Sequence, residues 1–425
     1  MTQIRDSLEG FNPWWKKEFT VSFKQRAIYT KIQKFLPLPM MIALTGLRRV
    51  GKTTLLQKIV QDKILEGFDP LNILYFSFDE FKHVSIREVL KAYEDSTRRV
   101  LSDGTFLVLF DEVQKVADWE SQLKTIYDTN KGKIKFIISG SESLFIRKKS
   151  RESLAGRLFE FEVQTLSFEE FLSFKGKEAM IKNMLLYGRE LRALLQEFSI
   201  CFGFPELIDV QDKGIIEKYV NETILDQVVY KDIPGMLPIQ HPDILASLLR
   251  IIRENPGACV EVQGLAQEMG ISRQSASTYL SYLEKSFLIK KLYNYSKNTR
   301  KIERKLKKYY PAIPSTRLTF SEDVLSRSKL FEWLLVKESR GDFFWRDQYK
   351  NEVDIILVKD NVPPIPIEIK YGKIDVRGVD FFMKKFGVKK GYIVSSERSD
   401  SLTIPAGELR VIPAHVFLLE TLKEL

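Results

Sequence analysis

Cysteine and histidine are scarce in this chain of 425 residues, which has two cysteines and three histidines. The cysteines, Cys201 and Cys259, are too few for a disulfide framework, and the histidines are too scattered for a zinc site. No run of about 18 apolar residues occurs, and charges stand near the first methionine where a signal peptide would be apolar. We therefore expect a cytoplasmic protein that does not span a membrane.

Internal repeats are absent, and the only low-complexity segment is a basic tract, Lys297–Lys308. The composition, 44% hydrophobic and 29% charged, excludes collagen, long disorder and a coiled-coil rod. The length allows roughly two to four domains. Most of the net charge of +10 lies in residues 246–318, which hold 14 Lys/Arg against 5 Asp/Glu. A local excess of this kind indicates a polyanionic partner.

Short apolar runs alternate with amphipathic stretches between residues 36 and 165. Such runs are typical of a parallel sheet buried on both faces, so the pattern predicts a three-layer α/β domain here. Residues 1–35 are expected to form an N-terminal helical segment. The predicted strands are Met40–Leu44, Asn72–Phe78, Thr105–Phe110 and Lys135–Ile138.

The remainder of the chain predicts three further parts, and the overall fold class is α/β. Residues 166–245 lack strand signals and are expected to form a helical lid or linker. Residues 246–318 combine a compact helical unit with the basic tract. Residues 319–425 return to an α/β pattern, with strand alternation at Val353–Val358 and Ile365–Lys370.

Residues 46–53 match the pattern G-x-x-x-x-G-K-[ST] between a predicted strand and a predicted helix, Thr54–Leu65. The glycines let backbone N–H groups surround phosphates, Lys52 can reach the β- and γ-phosphates, and Thr53 can ligate Mg²⁺. This P-loop predicts ATP and Mg²⁺ as ligands. Its nucleotide-binding residues are expected to be Gly46, Leu47, Arg48, Arg49, Val50, Gly51, Lys52, Thr53 and Thr54.

Two carboxylates, Asp111 and Glu112, follow the apolar run Phe106–Phe110. At the end of a buried strand they are unfavourable unless they meet a cation and water. Asp111 is expected to hold Mg²⁺, or alternatively to cap the next helix, and Glu112 to polarise the attacking water. Ser139, at the end of the next run, is either a γ-phosphate sensor that contacts the nucleotide or a turn residue.

An arginine is needed to neutralise charge as the phosphoryl group departs. Arg147, Arg151 and Arg157 follow the strand that ends near Ser139. Arg157 is the preferred catalytic candidate, and a solvated helix face is the alternative for each of the three. Action within one chain and action on a neighbouring copy both remain open.

The order of these motifs resembles that of AAA-like ATPases, common in archaea and bacteria, that carry a C-terminal domain of unknown function with a restriction-endonuclease-like core. The resemblance implies an ATP-dependent switch or motor domain with Glu112 as the water-activating residue. It is also compatible with a homo-oligomer. The segments that carry it are the P-loop and residues 110–114, 139–141, 154–157, 166–171, 203–206 and 352–354.

Residues 262–283 predict two helices joined at Gly270, with Ser272 as the cap of the second. Together with the strand-like residues 286–292, this spacing indicates a winged helix-turn-helix. A winged helix that only packs between domains and a tract that is only a solvated face are the alternatives to DNA binding. The expected DNA contacts are Arg273, Gln274, Ser275 and Ser277 on the second helix and Lys301, Arg304, Lys305, Lys307 and Lys308 in the tract.

A predicted hairpin in the C-terminal part has the Asp…Glu-x-Lys spacing of PD-(D/E)xK nucleases. Strand parity places Glu368 and Lys370 on one face. Asp354 and Glu368 are expected to ligate Mg²⁺ or Mn²⁺, Lys370 to activate water, and Glu332 to complete the site. Val353 stands where the pattern has proline. The alternative is a domain that keeps this fold as an inactive platform.

Taken together, the patterns predict a Mg²⁺-dependent ATPase that couples its nucleotide state to DNA binding and ends in a nuclease-like module. One alternative is a regulatory switch for protein–protein assembly with an inactive nuclease-like domain. Another is a DNA-binding regulator with negligible ATP turnover. Salt-dependent DNA binding separates the first function from the second, and a measurable turnover number separates it from the third.

Overall fold

The computed structural model describes residues 2–81, 83–130, 132–141, 154–237, 239, 241–298, 300, 302 and 306–425. The chain divides into two compact units, Met1–Gln164 and Thr165–Leu425. One sheet belongs to each unit. Within the described ranges, no helix has both the length and the apolar character needed to cross a membrane.

The first unit contains a parallel sheet of five strands in the order β2-β3-β4-β1-β5. Four of its strands were predicted from apolar runs, and each lies within one residue of the expected bounds. The fifth, β5, was missed. The strands are β1 Met41–Thr45, β2 Ile73–Ser77, β3 Phe106–Asp111, β4 Ile134–Ser139 and β5 Leu158–Glu162, and the helices are Thr2–Phe11, Ala27–Gln33, Lys52–Leu65, Ile86–Thr97 and Trp119–Thr129.

Residues 1–35 contain the helices Thr2–Phe11 and Ala27–Gln33, as expected for a helical segment, and residues between the two helices also complete the edge of this sheet. The side chain of Asn12 accepts a hydrogen bond from the Tyr75 amide (2.7 Å) and donates one to the Tyr75 carbonyl (2.9 Å). The Trp15 indole donates to the carbonyl of Ile73 (2.9 Å). Because β2 is an edge strand, its outer backbone groups need such partners.

The second unit begins with helices, and residues 166–245 are helical as predicted, with π-helical stretches at Tyr219–Leu225 and Val228–Asp232. Capping residues start several of these helices; Asp212 accepts a hydrogen bond from Ile215 N (2.9 Å), for example. The α-helices of the unit are Phe168–Phe174, Gly188–Cys201, Lys213–Lys218, Ile233–Met236, Pro242–Glu254, Val262–Glu268, Arg273–Lys285, Thr316–Thr319, Val324–Ser339, Arg377–Phe386, Ala414–Val416 and Leu422–Glu424.

A single sheet of nine strands runs through the second unit in the order β13-β14-β12-β11-β10-β9-β7-β8-β6. Strands of the basic region and of the C-terminal region meet where β7 pairs in parallel with β9, with Tyr293 opposite Phe343. The predicted division at residues 318 and 319 therefore does not separate two sheets. The strands are β6 Ala258–Val260, β7 Ile289–Asn294, β8 Lys307–Pro311, β9 Phe343–Arg346, β10 Glu352–Leu357, β11 Ile365–Lys370, β12 Lys390–Ser395, β13 Asp400–Ile404 and β14 Gly407–Pro413.

Candidate functional site

The loop between β1 and the helix Lys52–Leu65 depends on two glycines. Gly46 has a φ of 138°, and a Cβ atom on it would lie 2.2 Å from the carbonyl oxygen of Val163. Gly51, with a φ of 95°, caps the helix in the left-handed conformation. Only glycine adopts these backbone conformations without strain, which explains why the pattern requires glycine at both positions. Leu47, Arg48, Arg49 and Val50 lie between them, and Thr54 follows on the helix.

Lys52 is buried, and its ammonium group folds back over this loop. It donates to the carbonyl oxygens of Gly46 (3.0 Å) and Leu47 (2.9 Å). A second cation, which sequence reasoning missed, supports the loop: the buried guanidinium of Arg26 donates to the carbonyl of Val50 (3.1 Å). A lysine held at a loop of backbone N–H groups is suited to bind phosphate oxygens.

Asp111 connects the loop to the ends of three neighbouring strands. Its buried carboxylate accepts hydrogen bonds from the Thr53 hydroxyl (2.7 Å), the Tyr75 hydroxyl (3.0 Å) and the Ser139 hydroxyl. Burial and the nearby carboxylates of Asp111 and Glu112 raise the pKa of Tyr75, which keeps its hydroxyl a donor. A carboxylate and a hydroxyl in contact supply the oxygen ligands that Mg²⁺ prefers, so these residues fit the ion.

Glu112 follows Asp111 in a left-handed backbone conformation, with φ 54° and ψ 41°. Such a conformation is strained for a residue other than glycine, and strain of this kind concentrates at functional sites. The side chain of Gln114 donates to the Glu112 carboxylate (2.6 Å) and to the hydroxyl of Ser141 (3.2 Å). The Glu112 carboxylate is therefore held in place beside Asp111.

A second group of charged side chains lies in the middle of the nine-stranded sheet. Asp354 on β10 and Glu368 on β11 are both buried, and Asp354 accepts a hydrogen bond from the Ile369 amide (2.8 Å). Lys370 contacts Glu368, with 2.6 Å between Nζ and Oε1. The structure thus brings together the three residues of the predicted nuclease-like pattern. Burial is the main cause that raises the pKa of Asp354 to about 6 and the pKa of Glu368 well above its usual value.

Lys308 lies in this group and not on a DNA-facing surface, which corrects its predicted role. It is buried on β8, with its ammonium group 2.6 Å from Glu352, 3.4 Å from Glu332 and 3.7 Å from Asp354. Burial alone would lower the pKa of Lys308, but the neighbouring Tyr310 and the carboxylates outweigh this effect and raise it. Its ammonium group is enclosed among these carboxylates inside the second unit, so it is not available to a DNA phosphate at the surface.

Two carboxylates of this group fit a metal ion, whereas a third is occupied by other contacts. The Oε2 atom of Glu368 is buried without a hydrogen-bond partner among the described residues, and it lies beside Asp354, so two carboxylates fit a divalent cation. Glu332, predicted to complete the site, instead accepts hydrogen bonds from Tyr310 (2.7 Å) and Lys308 (3.4 Å). Across the described ranges, no group of three or more His, Cys, Asp or Glu side chains is arranged around a metal position.

The helix Arg273–Lys285 presents the polar side chains that were expected to face outward. Arg273, Gln274 and Ser277 are exposed, and Ser275 is half-buried. Ser272 caps the helix as predicted, since its hydroxyl accepts a hydrogen bond from Ser275 N (3.0 Å). Of the predicted tract contacts, Lys307 is half-buried on β8, and Lys301, Arg304 and Lys305 lie outside the described residues.

Three family models match the chain. Residues 39–172 match a family described as an AAA domain. This match supports an AAA-like P-loop ATPase core for these residues. Residues 192–312 and 330–416 match two domains of unknown function, DUF8612 and DUF4143. The ATPase domain model thus covers the loop, Asp111, Glu112 and Ser139.

Similar proteins occur in archaea and bacteria. An uncharacterized protein of Methanocaldococcus jannaschii is 26% identical over 411 residues, which cover 89% of this chain and 84% of that protein. A second protein of that organism is 26% identical over 329 residues, 74% of this chain and 71% of its own length. Among solved structures, a Walker-type ATPase of Pyrococcus abyssi superposes with a TM-score of 0.47 at 16% identity, over 72% of this chain and 98% of that one.

Arg157 lies at the opposite edge of the ATPase domain from the P-loop. It directly precedes β5, and its carbonyl accepts a hydrogen bond from Met41 at the start of β1, whereas the loop follows the end of β1. Its guanidinium pairs with Asp128, with 2.9 Å between Nε and Oδ1. The structure therefore does not bring Arg157 to the nucleotide site of its own chain. The candidates Arg147 and Arg151 lie outside the described residues.

Sequence reasoning missed two residues that support the ATPase site. In the sequence, Tyr75 is part of the apolar run that forms β2. The pairing of β2 with β3 places its hydroxyl at Asp111. Arg26 precedes the helix Ala27–Gln33, far from any motif, and it also donates to the carbonyl of Gln164 (2.9 Å). No local pattern in the sequence marks either contact.

Proposed function

We propose that this protein hydrolyses ATP with Mg²⁺ and couples the nucleotide state of its ATPase domain to DNA binding by its second unit. The observation that carries the hydrolytic part is the contact between Asp111 and the P-loop hydroxyl of Thr53 (2.7 Å), with Glu112 next in the chain. This arrangement joins phosphate-binding, metal-binding and water-activating groups within one site.

Each residue has a separate role in this proposal. The loop backbone and Lys52 bind the phosphates, and Thr53 and Asp111 hold Mg²⁺, which when bound neutralises phosphate charge. Glu112 accepts the proton of the attacking water, and its hydrogen bond from Gln114 (2.6 Å) orients the carboxylate. Ser139, whose hydroxyl donates to Asp111, would sense the γ-phosphate through this contact.

Removal of the metal tests the proposed chemistry. ATP hydrolysis by the full chain is expected to fall to background in EDTA and to recover when Mg²⁺ is added in excess. The reason is that Asp111 is negative and Thr53 is neutral, so without the bound cation they cannot neutralise the charge of the departing phosphate. Phosphate release measured in both conditions checks this expectation, and turnover that persists in EDTA would contradict the metal-binding role.

For Arg157, action on a neighbouring copy fits the proposal better than action within its own chain. Arg157 lies at the edge of the sheet away from its own P-loop and is paired with Asp128. In a homo-oligomer, a second copy would present such an arginine at the nucleotide site of the first. The concentration dependence of ATP turnover tests this assembly, because a monomeric enzyme keeps a constant turnover number.

DNA binding is proposed for the helix Arg273–Lys285. The order of elements around it, helix, β6, two helices, β7 and β8, is typical of a winged helix, and its exposed face carries Arg273, Gln274 and Ser277. Such side chains bind phosphate oxygens and base edges. Of the five tract residues predicted to contact DNA, Lys307 on β8 is the described one that still fits a phosphate contact.

Replacement of Arg273 by alanine is expected to weaken binding of duplex DNA and to flatten its salt dependence. Each lost phosphate contact lowers the slope of log affinity against log salt by about 0.9. Fluorescence anisotropy at several salt concentrations measures the slope. Arg410→Ala is the matched control, because Arg410 is also exposed but lies on β14. Equal slopes for wild type and Arg273→Ala would show that this helix does not bind DNA.

A metal-dependent nuclease is a second candidate function for the C-terminal strands. It is supported by the convergence of Asp354, Glu368 and Lys370 and by the unpartnered Oε2 atom of Glu368. In this proposal Asp354 and Glu368 would hold Mg²⁺ or Mn²⁺, and Lys370 would orient the attacking water. The competing alternative, an inactive platform within a regulatory switch, is favoured by Lys308, which already neutralises part of the cluster.

Cleavage assays separate these two alternatives. If the site is catalytic, single- or double-stranded DNA is cut in the presence of Mn²⁺, and Asp354→Ala and Lys370→Ala lose this activity while Arg410→Ala keeps it. Lys52→Ala then shows whether ATP controls cleavage. If the wild-type chain and the Asp354 variant yield the same products at the same rate, the nuclease proposal is wrong and the platform is correct.

A further inference from the structure

A cavity of about 600 Å³ lies within the second unit, apart from the helix Arg273–Lys285. Its walls come from the helix Gly188–Cys201, the helix Val324–Ser339, the residues between them at 319–322, and the ends of β11 and β12. Cavities of this size hold ligands as large as a nucleotide.

Three arginines give the cavity a positive wall. Arg189 and Arg192 stand three residues apart and therefore share a face of one helix, and Arg327 comes from the other helix. None of the three guanidinium groups forms a hydrogen bond or an ion pair with a side chain in the described part of the chain. The acidic residues of the lining, Glu322 and Glu397, are exposed.

The histidine next to Arg192 adds no second positive charge at this place. Burial, with a smaller effect from Arg192, lowers the pKa of His415 to about 4. His415 is therefore neutral at pH 7. The arginine keeps its full positive charge and, with it, an unmet capacity to bind an anion.

Aromatic rings form the opposing part of the lining. The rings of Phe331 and Tyr371 meet edge to face, with 5.5 Å between their centroids. Phe320 lies under the ammonium group of Lys213, which is 5.2 Å from its ring centroid. The two rings of the first pair are half-buried, so parts of them face the cavity. Flat apolar rings of this kind stack on nucleobases of any identity.

We propose that this cavity binds single-stranded nucleic acid, with phosphates on the arginines and a base against Phe331 and Tyr371. Guanidinium groups and aromatic rings in one groove are the combination that recognises a single strand, in which bases are free to leave the stack. The chain also connects this cavity to the group of charged side chains in the sheet, because Tyr371 directly follows Lys370 and Phe331 directly precedes Glu332. A strand bound in the cavity would therefore lie near the residues of the proposed nuclease site. The site is distinct from the duplex contact proposed for Arg273, and it does not depend on cleavage.

Fluorescence anisotropy with a labelled thymidine hexanucleotide, the full chain and no ATP tests this site. Arg192→Ala and Arg327→Ala are each expected to weaken binding about tenfold, because each removes charge-assisted hydrogen bonds to phosphate. Tyr371→Ala is expected to weaken binding about fivefold, whereas Tyr371→Phe retains the ring and binds like the wild type. Arg410→Ala, with the same loss of charge elsewhere, is expected to bind like the wild type as well.

Two further arms identify the ligand and the site. Thymidine monophosphate and pentaglutamate are added as competitors at equal charge. Displacement of the hexanucleotide by thymidine monophosphate would assign the cavity to a free nucleotide, and displacement by pentaglutamate would assign it to an acidic peptide. Either result would overturn the proposal. Arg273→Ala is measured with the hexanucleotide and with duplex DNA. If it reduces hexanucleotide binding as much as Arg192→Ala does, the strand binds elsewhere. Loss of duplex binding alone leaves the cavity intact and supports two separate sites.

Discussion

Replacement of Glu112 by glutamine is expected to lower the turnover number of ATP hydrolysis by about 10²–10⁴-fold while ATP still binds. Glutamine has the same shape and keeps a side-chain oxygen for the hydrogen bond from Gln114, which is 2.6 Å long in the wild type. It cannot accept the proton of the attacking water. The phosphate-binding groups are unchanged, so the variant should retain ATP as an unhydrolysed complex.

Lys52→Ala is the variant against which ATP binding and turnover of Glu112→Gln are compared. That variant loses the ammonium group held over Gly46 and Leu47, so we expect it to lose both binding and turnover. Steady-state phosphate release measures turnover, and retention of labelled ATP after gel filtration measures binding. A Glu112→Gln protein with wild-type turnover would remove Glu112 from the mechanism, and a Lys52→Ala protein that hydrolyses ATP normally would refute the role of the loop.

Replacement of Lys308 by methionine is expected to lower the free energy of unfolding of the second unit by about 3–5 kcal/mol. Methionine fills a similar volume but leaves the buried carboxylate of Asp354 and the half-buried ones of Glu332 and Glu352 without their cation. The wild-type ammonium group lies 2.6 Å from Glu352 and 3.7 Å from Asp354. Removal of one partner from a buried ion pair costs far more than the pair contributes, because the remaining charge is desolvated.

The effect of Lys308→Met should depend on pH in a defined direction. Burial raises the pKa of Asp354 to about 6, so this carboxyl is mostly neutral at pH 5 and charged at pH 8. A neutral carboxyl needs no counter-charge, and the loss of stability is therefore smaller at pH 5 than at pH 8. Urea denaturation at both pH values measures the difference between variant and wild type.

Lys307→Met is the matched control for this experiment, since Lys307 precedes Lys308 on the same strand and is only half-buried. Its replacement should change the free energy of unfolding by less than about 1 kcal/mol. Equal losses for the two variants, or a loss for Lys308→Met that does not vary with pH, would show that the carboxylates do not determine the effect.

The ATPase site could be predicted from the sequence because its parts are local. The glycines, Lys52 and Thr53 lie within one loop, and Asp111 and Glu112 end one apolar run. The geometry of parallel strands then requires that the ends of β1, β3 and β4 lie at one edge. Continuous apolar runs also revealed four strands of the sheet.

Other features could not be predicted, because they depend on contacts between distant segments. Lys308 was predicted to contact DNA because its neighbours in the sequence form a basic tract. Its burial results from the pairing of β8 with β7 and of β7 with β9, which no local pattern encodes. Strand β5 was missed for a related reason: it pairs only with β1 at the edge of the sheet, so its Phe and Glu residues alternate and no continuous apolar run forms.

The pairing of β7 with β9 also determines how two regions of the second unit are connected. Two modules joined by a flexible linker can move independently, whereas strands of one sheet share a ladder of backbone hydrogen bonds. The regions that match the two families of unknown function, residues 192–312 and 330–416, contribute strands to the same ladder. The helix Arg273–Lys285, which precedes β7, and the carboxylates on β10 and β11 are therefore connected through one continuous ladder of paired strands.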